Sequence, residues 1–130
     1  SVESTEPIVV AARTSVIDSG KLDFAWYSTE SPLTNDFVLP VAAGPSPRIH
    51  TFNAGSTDVT LTLTPTTGQP VQVLVPAGAA VGAPLQSGQT YSATTSGPLA
   101  VSVGYSGGGQ LSAYGITPPS PLASDLTIFP

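Results

Sequence analysis

The chain has no cysteine and no methionine, and it carries one histidine, one tryptophan and three basic residues among 130. Without cysteine there is no disulfide, thiol nucleophile or cysteine-ligated metal, and a single imidazole, His50, excludes any site built from paired histidines. The three cations, Arg13, Lys21 and Arg48, face eight acids, for a net charge of −5. No basic surface is therefore present to release counterions from a phosphate backbone, which excludes nucleic acid as a partner. The sequence shows no span-length apolar run, so direct membrane insertion by this segment is not expected either. Charged residues make up only 8% of the chain, well under the usual quarter, and a surface this poor in charge and free of oxidisable sulfur suits a secreted or cell-envelope module.

What is present points to β-structure. Hydrophobic residues form 40% of the chain, punctuated by 14 prolines and 13 glycines, and Thr, Ser, Val and Ala fill most of the rest. β-Branched side chains lose rotamer freedom in a helix and fit a pleated sheet, so short strands are favoured over helices. The length is sufficient for a core that needs no disulfide or metal to stabilise it. Alternating runs predict strands near 8–14, 22–27, 37–41, 48–53, 58–64, 71–75, 79–85, 90–95, 99–105 and 110–116. The clearest is Val59-Thr60-Leu61-Thr62-Leu63-Thr64, with its aliphatic residues on one face and its threonines on the other. Turns at Asn53-Ala54-Gly55-Ser56, Pro65-Thr66-Thr67-Gly68, Pro76-Ala77-Gly78 and Ser87-Gly88 have the spacing of a β-sandwich.

The chain also repeats itself. Ser31-Pro32-Leu33, Asp36 and Leu39 are echoed by Ser120-Pro121-Leu122, Asp125 and Ile128 at an offset of 89, which also places Gly20 on Gly109 and Leu22 on Leu111. Pro7-Ile8-Val9-Val10 matches Pro98-Leu99-Ala100-Val101 at an offset of 91, so a two-residue insertion is expected at the tip of the first hairpin, within Ser15–Gly20. This divides the chain into residues 1–40, the C-terminal hairpin and linker of a preceding repeat, and residues 41–130, one full repeat with a Pro-rich C-terminal linker. A lone hairpin is marginal in water. The first one is thus expected to pack on the same sandwich, either extending a sheet or lying against the second hairpin.

The sequence holds few residues placed to do chemistry. His50 lies in a strand and reads as a surface or half-buried side chain, and no nucleophile-elbow pattern accompanies it. Asp18, Asp23, Asp36, Asp58 and Asp125 occupy turn, strand-entry and linker positions, and no spacing pairs two of them, such as Asp23 and Asp58, as a glycosidase would require. Asn35-Asp36 lies outside any oxygen-rich loop motif, and Gly107-Gly108-Gly109 lacks the lysine and the helix of a phosphate loop. No cofactor, metal or catalytic residue is expected. The candidates for ligand contact are aromatic: Trp26, Tyr27, Tyr105 and Tyr114. Trp26 and Tyr27 are adjacent in one strand, so one points inward and the other outward.

The order Pro7-Ile8-Val9-Val10-Ala11-Ala12-Arg13, Asp23-Phe24-Ala25-Trp26, Phe52-Asn53-Ala54-Gly55, Val73-Leu74-Val75-Pro76-Ala77-Gly78 and Leu111-Ser112-Ala113-Tyr114 resembles a family of actinobacterial secreted or membrane-anchored proteins built of repeated β-sandwich units. That family carries no assigned activity. The resemblance implies an exported immunoglobulin-like module and transfers no catalytic residue. The reading is an all-β, immunoglobulin-like antiparallel sandwich with an additional N-terminal hairpin, acting without catalysis as a spacer or protein-interaction domain of a larger surface protein. Its partners would be other domains of the same parent, a cell-wall glycan or another surface protein. The alternative is a carbohydrate-binding module, which requires at least two exposed rings on one face, Trp26 or Tyr105 among them.

Overall fold

A computed structural model of the chain describes residues 2, 4–6, 8, 10–28, 31–34 and 36–118. Over these residues the fold is all-β, with ten antiparallel strands: β1 (Ala11–Asp18), β2 (Lys21–Ser28), β3 (Phe37–Pro40), β4 (Arg48–Phe52), β5 (Val59–Pro65), β6 (Val71–Val75), β7 (Ala80–Pro84), β8 (Thr90–Thr95), β9 (Ala100–Gly107) and β10 (Gln110–Ile116). Two four-stranded sheets, ordered β3-β8-β5-β6 and β10-β9-β4-β7, form the body of the protein, and β1-β2 stands apart as a two-stranded ribbon.

Alternation within each strand creates the core between the two sheets. Val59, Leu61 and Leu63 of β5 are buried while the threonines between them are not. From the facing sheet, Ile49 of β4 and Val101 and Val103 of β9 join the same cluster, as do Leu39, Tyr91 and Ala93 of the first. Fully burying side chains of this kind contributes roughly 1.5–3 kcal/mol each. Polar clasps fix how the layers meet. Asn53 is 1% exposed, and its amide donates to the carbonyls of Thr57 (2.7 Å) and Val75 (3.1 Å) while its Oδ1 accepts from Gly55 N–H (2.9 Å), joining the end of β4 to β6 across the sandwich. Tyr114 of β10 donates its hydroxyl to the carbonyl of Pro40 on β3, spanning the same gap at the other side.

Residues 31–40, read from the sequence as a linker, contribute to this body. Leu33 exchanges backbone hydrogen bonds with Leu99 (2.7 and 3.0 Å), and β3 pairs with β8 from Phe37↔Ala93 to Pro40↔Thr90. Leu33 and Leu39 are core residues, which is why an apolar residue stands at each position. The matching segment Ser120–Pro130 lies outside the described residues, as do Glu3, Pro7, Val9, Glu30 and Asn35.

The hairpins β1-β2 and β9-β10 share one template. Asp18↔Lys21 closes the first and Gly107↔Gln110 the second, each on a two-residue turn with positive φ at both positions: Ser19 (50°) and Gly20 (79°), Gly108 (58°) and Gly109 (73°). That turn matches the right-handed twist of the flanking strands. The insertion expected at the first hairpin tip is therefore absent. β1 continues through the β-branched Val16 and Ile17 to Asp18, and the tight turn needs only Ser19-Gly20.

Candidate functional site

β1-β2 has two faces of opposite character. Pairing sets Arg13 opposite Trp26, Ser15 opposite Phe24 and Ile17 opposite Leu22 on one face, and Thr14 opposite Ala25 and Val16 opposite Asp23 on the other. The first face looks outward. Ile17 is 76% exposed, Leu22 61%, Trp26 60% and Phe24 49%, and the Arg13 guanidinium sits over the Phe24 ring, 4.8 Å from its centroid. Phe24 and Trp26, two residues apart on one strand face, have Cα atoms about 6.7 Å apart. The other large exposed hydrophobics are Val2 and Ile8, ahead of β1, and Val38, Phe52, Val71 and Leu74, which are spread over three strands of the sandwich. Scattered exposed hydrophobics need no explanation, but four on one short ribbon do.

The inward face docks on β9-β10. Ala25 is buried, and the Asp23 carboxylate accepts from the Leu111 N–H (2.7 Å) and from its neighbour Phe24 N–H (2.8 Å). These two backbone donors, Leu111 first, hold the Asp23 carboxyl below its ordinary range against a smaller opposing effect of desolvation. Gly104 makes the approach possible: a Cβ there would stand 3.1 Å from His50 Nε2 and 3.4 Å from the Tyr27 hydroxyl oxygen. His50 is held below its usual pKa by desolvation first and by the positive charge of Arg48 second. Between the ribbon, the 42–45 loop and β10 lies a cleft of about 310 Å³, with Asp23, Gly44, Tyr105 and Ser112 among its lining residues.

The four aromatic candidates separate accordingly. Trp26 is the exposed one; Tyr27, its neighbour, turns inward and is half-buried. Tyr105 is not an exposed ring: it is 8% exposed, on the core side of β9, with Gly44 against its ring, and its hydroxyl has no hydrogen-bond partner among the described residues. Tyr114, half-buried, lies beside it with ring centroids 6.3 Å apart. Burial first, and the neighbouring Tyr105 hydroxyl second, hold its phenol well above the ordinary value. Both tyrosines stand on the strand positions that face the opposing sheet, and this removes them from the surface. The second ring beside Trp26 is instead Phe24, whose signal in the sequence is its spacing of two from Trp26 within one strand.

Asp23 and Asp58 do not converge, since Asp58 accepts from Ala77 N–H (3.0 Å) at the entrance to β5 while Asp23 is bonded to β10. Among the described residues no group of three or more His, Asp or Glu side chains could hold a metal ion, and no helix is long and apolar enough to cross a membrane. No protein-family model, curated protein or solved structure matches the chain.

Proposed function

We propose that the protein is a non-catalytic interaction module of a larger extracellular or cell-envelope protein, and that it makes contact through the outward face of β1-β2. The observation that carries this reading is the placement of Ile17, Leu22, Phe24 and Trp26 in solvent on one ribbon face, while the opposite, smaller face is the one docked. Apolar side chains kept out of a core that has room for a ribbon mark a surface that is covered in use. The low charge, the absence of sulfur and the family resemblance support an exported setting. Strand pairing supports an immunoglobulin-like reading of the sandwich: β3 beside β8, β4 beside β9 and β9 beside β10 match the B–E, C–F and F–G pairings of that fold, and β5 lies beside β8 as D lies beside E, while β7, beside β4 where C′ would lie, follows β5 in the chain and β6 is additional.

A photo-crosslinking residue at position 24, compared with one at the equally exposed Val71 on the sandwich, tests the assignment against extracellular extract and intact cells. A discrete adduct formed from position 24 alone is the expected result; identical adducts from both positions, or none, would sink it.

A carbohydrate-binding module is the second reading, and the exposure of both Trp26 and Phe24 on one strand face favours it. It requires a saturable change in Trp26 emission on titration with one cell-wall polysaccharide, lost in Trp26→Ser.

A further inference from the structure

We propose that the free edge of β1, over Ala11–Ser15, accepts an antiparallel strand from a polypeptide partner, which widens the β1-β2 ribbon and covers part of its apolar face; this rests on reading that face as the contact surface. The template is inside the chain. In β9-β10 the strand equivalent to β1 is not an edge: β4 lies against β9, with Arg48↔Gly104, His50↔Ser102 and Phe52↔Ala100 in register. Counted back from the two identical turns, Gly104, Ser102 and Ala100 correspond to Ser15, Arg13 and Ala11.

The edge is built to receive a strand. The tight turn makes Asp18↔Lys21 a hydrogen-bonded pair, so alternation along the ladder turns the N–H and C=O groups of Ala11, Arg13 and Ser15 away from β2. Among the described residues nothing pairs with them. Natural edges are normally blocked by proline, bulges or charge, whereas β1 has no proline and its one cation, Arg13, is laid over the Phe24 ring.

The same geometry selects the occupant. The outward face offers on the order of 400 Å² of apolar side chain, short of the roughly 800 Å² per partner of a stable protein interface, so a second globular copy resting on it would be underpaid in area. A sugar chain would find the Phe24 face already covered by Arg13. An added strand gains backbone hydrogen bonds as well as apolar contact. Its side chains opposite Ala11 and Ser15 lie on the apolar face and should be aliphatic, and the one opposite Arg13 should be acidic, because opposite charges directly across a ladder attract.

The test follows Trp26 emission in the full chain during titration with the peptide acetyl-Thr-Ile-Thr-Glu-Thr-Ile-Thr-amide. A saturable shift is expected, with affinity about tenfold or more weaker in Ser15→Pro, which removes an edge donor while leaving the β1-β2 ladder hydrogen bonds and both aromatic rings in place. Arg13→Glu, which leaves every backbone group in place, should reverse the preference toward the same peptide with lysine at its centre. No shift with either peptide, or equal binding to the wild type and both variants, overturns strand addition. A polysaccharide that shifts Trp26 equally in wild type and Ser15→Pro also overturns it while leaving the contact face standing. Emission from a buried, unresponsive Trp26 removes the face itself.

Discussion

The two hairpins are within one residue of the same length and share the same turn, yet they bury opposite faces. Counted from the turn, β10 places Tyr114 and Ile116 at its fifth and seventh positions, toward the core, while β2 places Leu22, Phe24 and Trp26 at its second, fourth and sixth, toward solvent. A shift of one residue in an alternating pattern moves a whole set of side chains to the other face. The partner surfaces complement this shift. β9-β10 is small on its outer side, at Gly104, Ala113 and Gly115, and a second ribbon can lie there; β1-β2 is bulky on its outer side and docks through β2, at the small Ala25 and the Asp23 carboxylate. One hairpin is therefore a structural part of the sandwich, and the other carries a surface.

The most severe way to break the comparison is to place a charge on each large apolar face. Val103→Asp buries a carboxylate where exposure is zero, and the cost of several kcal/mol is a large fraction of a typical domain stability of roughly 5–15 kcal/mol. No cooperative thermal transition is expected. Trp26→Asp, on the large apolar face of the other ribbon, should change stability by no more than about 0.5 kcal/mol. Equal damage from both would show that Trp26 is a core residue.

A smaller effect separates docking from folding. Gly104→Val places a branched side chain against His50 and Tyr27, and overpacking of this kind costs about 1–3 kcal/mol. The expected signature is faster amide exchange at Leu111 and in the ribbon, with β5 and β8 still protected. Loss of protection in β5 as well would make ribbon and sandwich one cooperative unit. Smaller again is Arg13→Ala, which removes an exposed cation–π contact worth about 0.5–1 kcal/mol and should loosen only the Phe24 ring, visible as narrowed line widths and altered ring shifts by NMR.

The finest effect is one of pH. The Asp23 carboxyl has a lowered pKa in the folded chain because it accepts from Leu111 and Phe24, so its contribution to docking is fully present above the ordinary carboxylate range and is lost as pH falls through the lowered value. Exchange at the Leu111 amide, corrected for its intrinsic pH dependence, should accelerate in that acid window in the wild type and show no such step in Asp23→Asn.

Much of the sandwich is legible in the sequence because its strands are set by local alternation and its turns by Gly and Pro. The bounds of β6, β8 and β10 follow directly, and β5 displays its two faces in its Thr/Leu alternation. β1 does not follow, because the apolar run Ile8-Val9-Val10 draws the expected strand too early and disguises Val16-Ile17 as a turn. The face each aromatic takes is a tertiary property. Adjacency separates Trp26 from Tyr27 but does not say which points inward, and Tyr105 and Tyr114 are covered by a second sheet contributed by distant residues. Asn53 reads as a turn former, and its burial depends on the Val75 carbonyl, 22 residues away. Phe24 has no polar tip to mark it as a ligand contact, although spacing alone aligns it with Trp26.

Since Trp26 is the one tryptophan in the chain, its fluorescence tests the central claim directly: the large apolar face of the first ribbon looks into solvent. The account predicts a red-shifted emission maximum in the native protein and acrylamide quenching nearly as efficient as in the unfolded chain. A blue-shifted maximum protected from acrylamide until the cooperative melt would place Trp26 in a core and contradict the account.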